Sequence, residues 1–589
     1  MSATATSPAG TGYRWLVVPD DPANEPSRDL VGGKAWSLWR MRSLGMRVPP
    51  AFVVTTAACT AWFAGGARGL PEGLAEELAS GIRLLERGLD RTFGGAERPL
   101  LVSVRSGAAI SMPGMMDTIL DLGCNDTVAS ALAAETGDPA FAAEVHRRFT
   151  AFYGRLVLGC TEDLDDLPDL AAVRAAIAAD GAGAVPTDPW EQLRDAVAAV
   201  FASCRSRRAI AYRRHYGIPD DLGTAVTVQA MVFGNLDDDS GTGVLFTRNP
   251  VNGAREPYGD YLPHGQGEDV VSGRVTPKPL SYLAEHAPAV HAELLRAADC
   301  LDREGRDAQD IEFTVQHGEL FLLQSRAAKR TARAAVRIAV ALVDEGVIEP
   351  AEAIRRVTAD QIRALLRPEI APGAADAAEL LSTGTAASPG VATGPAVGTP
   401  EAAQRVPGAV LVRRTTSPDD VHGMIAAAAV VTEHGGATSH AAVVSRALDT
   451  PCVVGCGDGT REALLGRIVT VDATNGRVYA GEVETSAADE SADEDLCRLT
   501  AWAEQAVSLR VTESDAEAVA PVLDADGIPP EELGERLPAI PAGTRTVRGA
   551  LFTTPDGVRA ALDAGVEVIV APQRLPVLLA AVAHGGDAR

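Results

Sequence analysis

At 589 residues the chain is too long for one hydrophobic core, and at ~100–200 residues per domain three or four domains are expected. Hydrophobic residues make up 46% and aromatics only 4%, so the cores must be built from Ala, Val and Leu. A formal net charge of −26 argues against a nucleic-acid or anionic-membrane partner, which both need a basic surface, but not against a nucleotide held by a local cluster of Lys, Arg and Mg²⁺.

Met1–Gly12 has neither the basic nor the apolar region of a secretory signal, and no apolar run reaches ~18 residues. The eight cysteines are scattered, with no C-x-x-C pair, so zinc and thioredoxin-like chemistry are disfavoured. A cytoplasmic protein with reduced thiols is expected.

Residues 1–326 alternate strand-like runs (Leu16–Val18, Phe52–Thr55, Leu100–Val104, Ala225–Met231, Val244–Thr247) with Ala-rich helical stretches, an α+β pattern. Residues 327–383 read as a helical linker, with helical spacing at Ala335–Val343 and Ala351–Leu366, then a Pro/Gly/Ala-rich stretch. Residues 384–481 mix short strands and helices, with a hairpin over Ile468–Tyr479 turning at Asn475-Gly476. Residues 482–496 are acidic, as in a solvated tether. Residues 497–589 read as a short α/β segment.

Four segments could meet phosphates. Val31–Leu38 (VGGKAWSL) puts Lys34 at the start of a helix after two glycines, although such a pair is more often just a turn. Val102–Asp126 is a strand ending at Arg105, a loop with Gly107, Pro113 and Gly114, and a helix expected from Met115. Gly241–Pro250 (GTGVLFTRNP) is followed by Gln266-Gly267-Glu268-Asp269. In Gln309–Arg326, Asp310 and Glu312 share one strand face, Gln324 and Arg326 share the next, and His317-Gly318 makes the turn. Paired, they would collect two carboxylates, an amide and a guanidinium: oxygen ligands suited to Mg²⁺, or a solvated face with a salt bridge.

Ala429–Gly457 (AVVTEHGGATSHAAVVSRALDTPCVVGCG) predicts a buried strand, a sharp turn at Gly435-Gly436, and a helix capped by Thr438 or Ser439. His440 then lies in the first helical turn with its ring toward solvent. A phosphoryl group there would meet free N–H groups, and the helix end favours the neutral, nucleophilic imidazole. A lone His beside a helix cap is more often structural.

Segments 102–126, 223–250 (GTAVTVQAMVFGNLDDDSGTGVLFTRNP), 309–331 and 429–457, in this order, resemble pyruvate, phosphate dikinases. So do the Lys34 region, the SPG segment at Ser388–Gly390 and Thr415–Met424 (TTSPDDVHGM), and the resemblance spans roughly residues 30–480. It implies a multidomain α+β protein: an ATP-grasp ATP-binding domain over 1–326, a linker over 327–383, a swivelling β/β/α phosphohistidine domain over 384–481, a tether over 482–496 and an α/β remnant over 497–589. Carried across residue by residue, Lys34, Arg105, Gly114, Thr247, Glu312, Gln324 and Arg326 would handle ATP. Asp310, Glu312 and Gln324 would serve Mg²⁺, Arg148 would help hold inorganic phosphate, and His440 would carry the phosphoryl group, with Arg105 and Lys34 assisting. Thr438 matches a position that a regulatory protein phosphorylates in some members.

Three departures stand out. Ala437 follows the Gly-Gly where the family typically has Met, and His264-Gly265 replaces Asn-Ala. The family's phosphoenolpyruvate/pyruvate barrel is not recognisable in residues 497–589. The implied activity is therefore an ATP-driven self-phosphorylation that releases AMP. The acceptor would be pyruvate with a separate barrel chain, or another small molecule. A non-catalytic, nucleotide-binding regulatory paralogue is the alternative; the retained polar set argues against it. The sequence leaves the oligomeric state open, with a homodimer as one option.

Overall fold

The computed structural model describes residues 13–19, 25–108, 118–215, 218–219, 222–272, 275–366, 369–371, 373–448, 450–486, 490–525 and 540–585. They form a mixed helix-and-sheet protein of several bodies, and no helix among them is long and apolar enough to cross a membrane.

The first sheet is antiparallel, in the order Leu16–Val17, Ala51–Val54, Ala225–Ala230, Val102–Gly107, Thr118–Leu122. The central strand Ala225–Ala230 is buried at every position, as a run with core on both faces must be. The helix expected from Met115 is not continued into the described residues: Thr118–Leu122 is a strand that pairs back on Val102–Arg105. Its β-branched and aliphatic residues suit that pleated partner better than a helix. Gly114 lies outside the described residues.

The second sheet runs Lys278–Pro279, Tyr258–Pro263, Gly241–Phe246, Gln309–Gln316, Glu319–Ala327, again antiparallel. Both residues of the His317-Gly318 turn are left-handed, with φ of 52° and 71°, which closes a tight hairpin between its last two strands.

The helical pattern over Ala351–Leu366 forms two helices, Pro350–Arg356 and Ala359–Leu365. Thr358 and Gln361 make a reciprocal capping box that starts the second helix, a local bond set that outweighs continued periodicity. These helices, the back of the second sheet (Val244, Phe246) and residues from Leu496 to Val582 share one hydrophobic core.

Residues 380–480 hold an eight-stranded sheet, mixed parallel and antiparallel, in the order Leu380–Thr383, Arg477–Ala480, Ile468–Asp472, Val391–Val397, Val410–Arg413, Ala429–Thr432, Cys452–Val454, Thr385–Ser388. This body leans on the first through a cluster that joins Ala209 and Tyr212 of helix Arg207–His215 to Leu411, Val421, Met424 and Val444. The chain enters and leaves it side by side: Glu369–Ile370 pairs antiparallel with Thr485–Ser486.

The acidic stretch 482–496 does not run free. Besides strand Thr485–Ser486, it contains Glu490, whose carboxylate accepts the backbone N–H groups of Arg574 and Leu575, and Asp493, which caps helix Glu494–Ala506. A carboxylate at a helix start is stabilised there as a cap, and this overrides the solvated reading of composition. Beyond it, four parallel strands run in the order Arg510–Thr512, Val568–Val570, Thr546–Arg548, Val522–Asp524.

Candidate functional site

The two antiparallel sheets and the body carrying His440 enclose a cleft of about 1750 Å³, lined among others by Lys34, Arg148, Glu312, Gln324, Arg326, Thr416 and His440. Each of these residues reaches it for a local reason.

Lys34 lies on helix Arg28–Ser43, whose first turn is broken by Gly32 at φ 76°. A Cβ at Gly32 would sit 2.1 Å from the Gly107 carbonyl oxygen, so only glycine allows this approach. The neighbouring Gly33 N–H donates to Ala108 O at 2.9 Å. Together these contacts pin the Lys34 turn to the end of the Arg105 strand.

The hairpin register pairs Glu312 with Gln324 and Asp310 with Arg326, so the four polar groups share one surface, as the alternation predicts. Arg105, from the first sheet, donates to Glu312 Oε2 at 2.8 Å and to Leu323 O at 3.2 Å, tying the two sheets together. Arg326 Nε donates to Asp310 Oδ2 at 2.8 Å. Burial pushes the Glu312 carboxyl up, but Arg105, Arg326 and Lys34 outweigh it and hold the carboxyl below its ordinary range. Asp310 goes the other way: burial dominates, and its carboxyl is raised despite Arg326.

Asp310 Oδ1 and Gln324 Oε1 are buried and have no hydrogen-bond partner among the described residues. Two such orphaned acceptors beside a second carboxylate fit a hard divalent cation. The described residues contain no cluster of three His, Cys, Asp or Glu side chains able to hold a metal, so any ion here rests on the two carboxylates and the amide.

Arg148 projects from helix Pro139–Leu156, which is anchored by buried Val145 and Phe149. Its guanidinium is bidentate to Asp269 at 2.9 and 3.0 Å, and Asp269 also accepts the Gln266 N–H. Thr247 is not brought to the cleft. Its hydroxyl donates to Asp302 at 2.6 Å and accepts the Gln309 N–H, so it braces the strand that carries Asp310.

His440 opens helix His440–Leu448, preceded by Ser439, whose carbonyl accepts the Val443 N–H. Its ring turns into the cleft rather than to solvent. Burial lowers its pKa to about 4, although Asp420 pulls the other way. Nδ1 lies 3.1 Å from Thr416 Oγ1, and the buried Nε2 has no hydrogen-bond partner among the described residues. The tautomer that leaves a lone pair on Nε2 puts the proton on Nδ1, where it donates to Thr416.

The turn before His440 is pressed onto the second sheet. Thr438 donates through N (3.2 Å) and Oγ1 (2.7 Å) to Asp260 Oδ2, and a Cβ at Gly436 would lie 3.1 Å from that oxygen. A smaller slot of about 180 Å³ lies between the two sheets, lined by Arg105, Gln229 and Met231 from one and by Thr242, Glu312 and Leu323 from the other. Sequence reading missed Asp260, which sits in an ordinary strand pattern without local signal, and it named neither Gln229 nor Met231, although both lie within the 223–250 segment of the resemblance. Thr416 lay inside a segment that the resemblance had already singled out.

The family described as "Pyruvate phosphate dikinase, AMP/ATP-binding domain" matches residues 67–294, and "PEP-utilising enzyme, mobile domain" matches residues 405–476. Among curated relatives, pyruvate, phosphate dikinase of Rhizobium meliloti (strain 1021) is 41% identical over 547 residues, covering 83% of this chain and 60% of that protein. The Clostridium symbiosum enzyme is 40% identical over 538 residues, covering 85% and 61%. The chloroplastic pyruvate, phosphate dikinase 1 of Zea mays is 41% identical over 527 residues, covering 83% and 55%. The chain thus spans 55 to 61% of the length of these relatives. With two matched domains in family order and about 40% identity over most of its length, the chain belongs to the pyruvate, phosphate dikinase family.

Proposed function

We propose that this chain is an ATP-dependent phosphotransferase that phosphorylates its own His440 and passes the phosphoryl group to an acceptor. The observation that carries this reading is that the orphaned Nε2 of His440 belongs to a side chain lining the same cleft as Lys34, Glu312, Gln324 and Arg326. On this reading residues 1–326 are an ATP-grasp domain, with adenine in the slot between the sheets and the phosphates extending past Arg105, Lys34 and Arg326. Residues 384–481 are the swivelling phosphohistidine domain.

Asp310, Glu312 and Gln324 would hold Mg²⁺, which when bound offsets phosphate charge. Neutral Nε2 attacks the β-phosphorus of ATP, the Pα–O–Pβ bridge breaks, and AMP leaves with the bridging electrons. The γ-phosphoryl passes to phosphate or water as pyrophosphate or phosphate, and the β-phosphoryl stays on the histidine. Throughout, the Nδ1 proton stays hydrogen-bonded to Thr416, and Lys34, Arg105 and Arg326 stabilise the charge on the transferring oxygens. Arg148, paired with Asp269 on the cleft wall, is the group suited to hold inorganic phosphate. Gly114 is carried over as an ATP-handling residue, and Thr247 supports from behind the strand that carries Asp310. The final acceptor is pyruvate or another small molecule.

The test is ATP labelled at the β-phosphate. Acid-labile label is expected on the protein and is expected to vanish in His440→Ala while ATP still binds. Label that persists in that variant would overturn the assignment.

A further inference from the structure

Arg446 lies six residues beyond His440 on the same helix, and it does not line the cleft. It is 3% exposed, although a guanidinium is rarely buried without a full set of acceptors. Nη1 donates to two carbonyls of its own body, Ala387 O at 3.1 Å and Ala437 O at 3.0 Å. Nε and Nη2 have no hydrogen-bond partner among the described residues. The guanidinium carbon stands 5.5 Å from the centre of the Phe246 ring, which belongs to the second sheet. Its charge falls on Asp310, Asp260 and Tyr258, also on that sheet.

Within its own body, then, Arg446 satisfies one nitrogen and holds the Ala437 carbonyl of the turn that presents His440. Apart from Cys452 of its own body, the groups that stabilise its charge, Phe246, Tyr258, Asp260 and Asp310, come from across the contact. An arginine serving only the fold of residues 380–480 would find its partners there.

Resting on the phosphotransfer reading above, we propose that Arg446 is a positioning residue that latches the phosphohistidine domain over the ATP cleft, holding the Gly435–Ser439 turn on one side and the Phe246–Asp260–Asp310 face on the other. The latch is charge-based. When the domain leaves, Nε and Nη2 gain water and lose Phe246 and the two carboxylates, so the closed pose depends on the guanidinium rather than on side-chain volume. Thr438 and Asp260 form the neighbouring contact of the same latch.

The experiment is hydrogen–deuterium exchange on the full chain, with β-labelled ATP autophosphorylation in parallel, for wild type, Arg446→Met, Arg446→Lys and Phe246→Leu. Arg446→Met keeps length and removes charge, and Phe246→Leu removes the ring from the opposite side in case the first variant folds poorly. Expected for both is faster exchange, by ten-fold or more, in 258–263 and 436–440, with strands Val410–Arg413 and Ala429–Thr432 still protected and labelling slowed by ten-fold or more. Arg446→Lys is expected to fall between wild type and Arg446→Met. The proposal is overturned by unchanged exchange at 258–263 and 436–440, by loosening throughout residues 380–480, by normal labelling despite loosening, or by Arg446→Lys behaving as Arg446→Met. Wild type that takes no label would sink the phosphotransfer reading, while the exchange data would still decide whether Arg446 holds the two bodies together.

Discussion

Thr416 Oγ1 lies 3.1 Å from Nδ1 of His440, placed to accept the Nδ1 proton in the tautomer that leaves Nε2 its lone pair. Without an acceptor at Nδ1, the proton is free to move to Nε2, the nitrogen proposed to attack ATP. Thr416→Val removes the acceptor at almost constant volume. Phosphoenzyme formation is expected to slow by about ten-fold, corresponding to about 1.4 kcal/mol, with ATP affinity unchanged. Rapid-quench labelling checks this, and an unchanged rate would show that the tautomer is set by another group.

Glu312 pairs with Arg105 and is held ionised by three cations. Glu312→Gln keeps the shape but removes the charge that would face both Mg²⁺ and Arg105. Metal-dependent labelling is expected to fall by about 100-fold or more, with the melting temperature shifted far less than a core substitution would shift it. Titrating Mg²⁺ in the labelling assay, alongside calorimetry, separates the two effects.

Acid is expected to open the cleft. With its pKa lowered to about 4 by burial, His440 stays neutral when closed in, whereas an exposed His440 protonates near its ordinary 6.5. Between those two values the open form binds the extra proton, so closure weakens as pH falls, by at most about 1.4 kcal/mol per pH unit from this group. Burial raises the Asp260 carboxyl, which titrates in the opposite sense, so His440→Gln is the control that isolates the histidine. Small-angle scattering should show wild type expanding between pH 7 and pH 5 more than that variant does; equal expansion would contradict the assignment.

Glu490 accepts two N–H groups at the start of helix Arg574–Gly585. Glu490→Ala leaves both donors without their carboxylate and is expected to cost about 1–2 kcal/mol of stability. Labelling of His440, far along the chain, should be unaffected. Chemical denaturation followed by Trp fluorescence measures the loss.

Much of the cleft was legible because its residues obey short-range rules. The alternation of Asp310 with Ile311, and of Gln324 with Ser325, fixed which groups share a face. The His317-Gly318 turn sets the register as far as Phe313 and Leu322, and a one-residue bulge between Glu312 and Phe313, which the sequence did not announce, then brings Glu312 opposite Gln324. What could not be read was contact between distant segments. Asp260 meets Thr438 across 178 positions, and Arg105 meets Glu312 across 207, with no periodicity connecting them. Thr247 shows the converse: its motif was recognised, yet a hydroxyl one residue beyond a strand bonds whatever its neighbours offer, here Asp302 and Gln309. Composition misled at Glu490, because charge density does not reveal which single carboxylate lies beneath a helix end.

The pairing of Glu369–Ile370 with Thr485–Ser486 means that the chain returns to the point where it departed. Ile370 and Thr485 are register partners, so their Cα atoms stand about 5 Å apart, a gap that a two-residue turn can bridge. Everything between them is topologically a detour. Splicing residue 370 to residue 485 through such a turn should leave the helices at 332–365 and the C-terminal sheet packed on the core they already share. The excised stretch, with adjacent ends, could be circularised or grafted onto another scaffold and carry His440 with it.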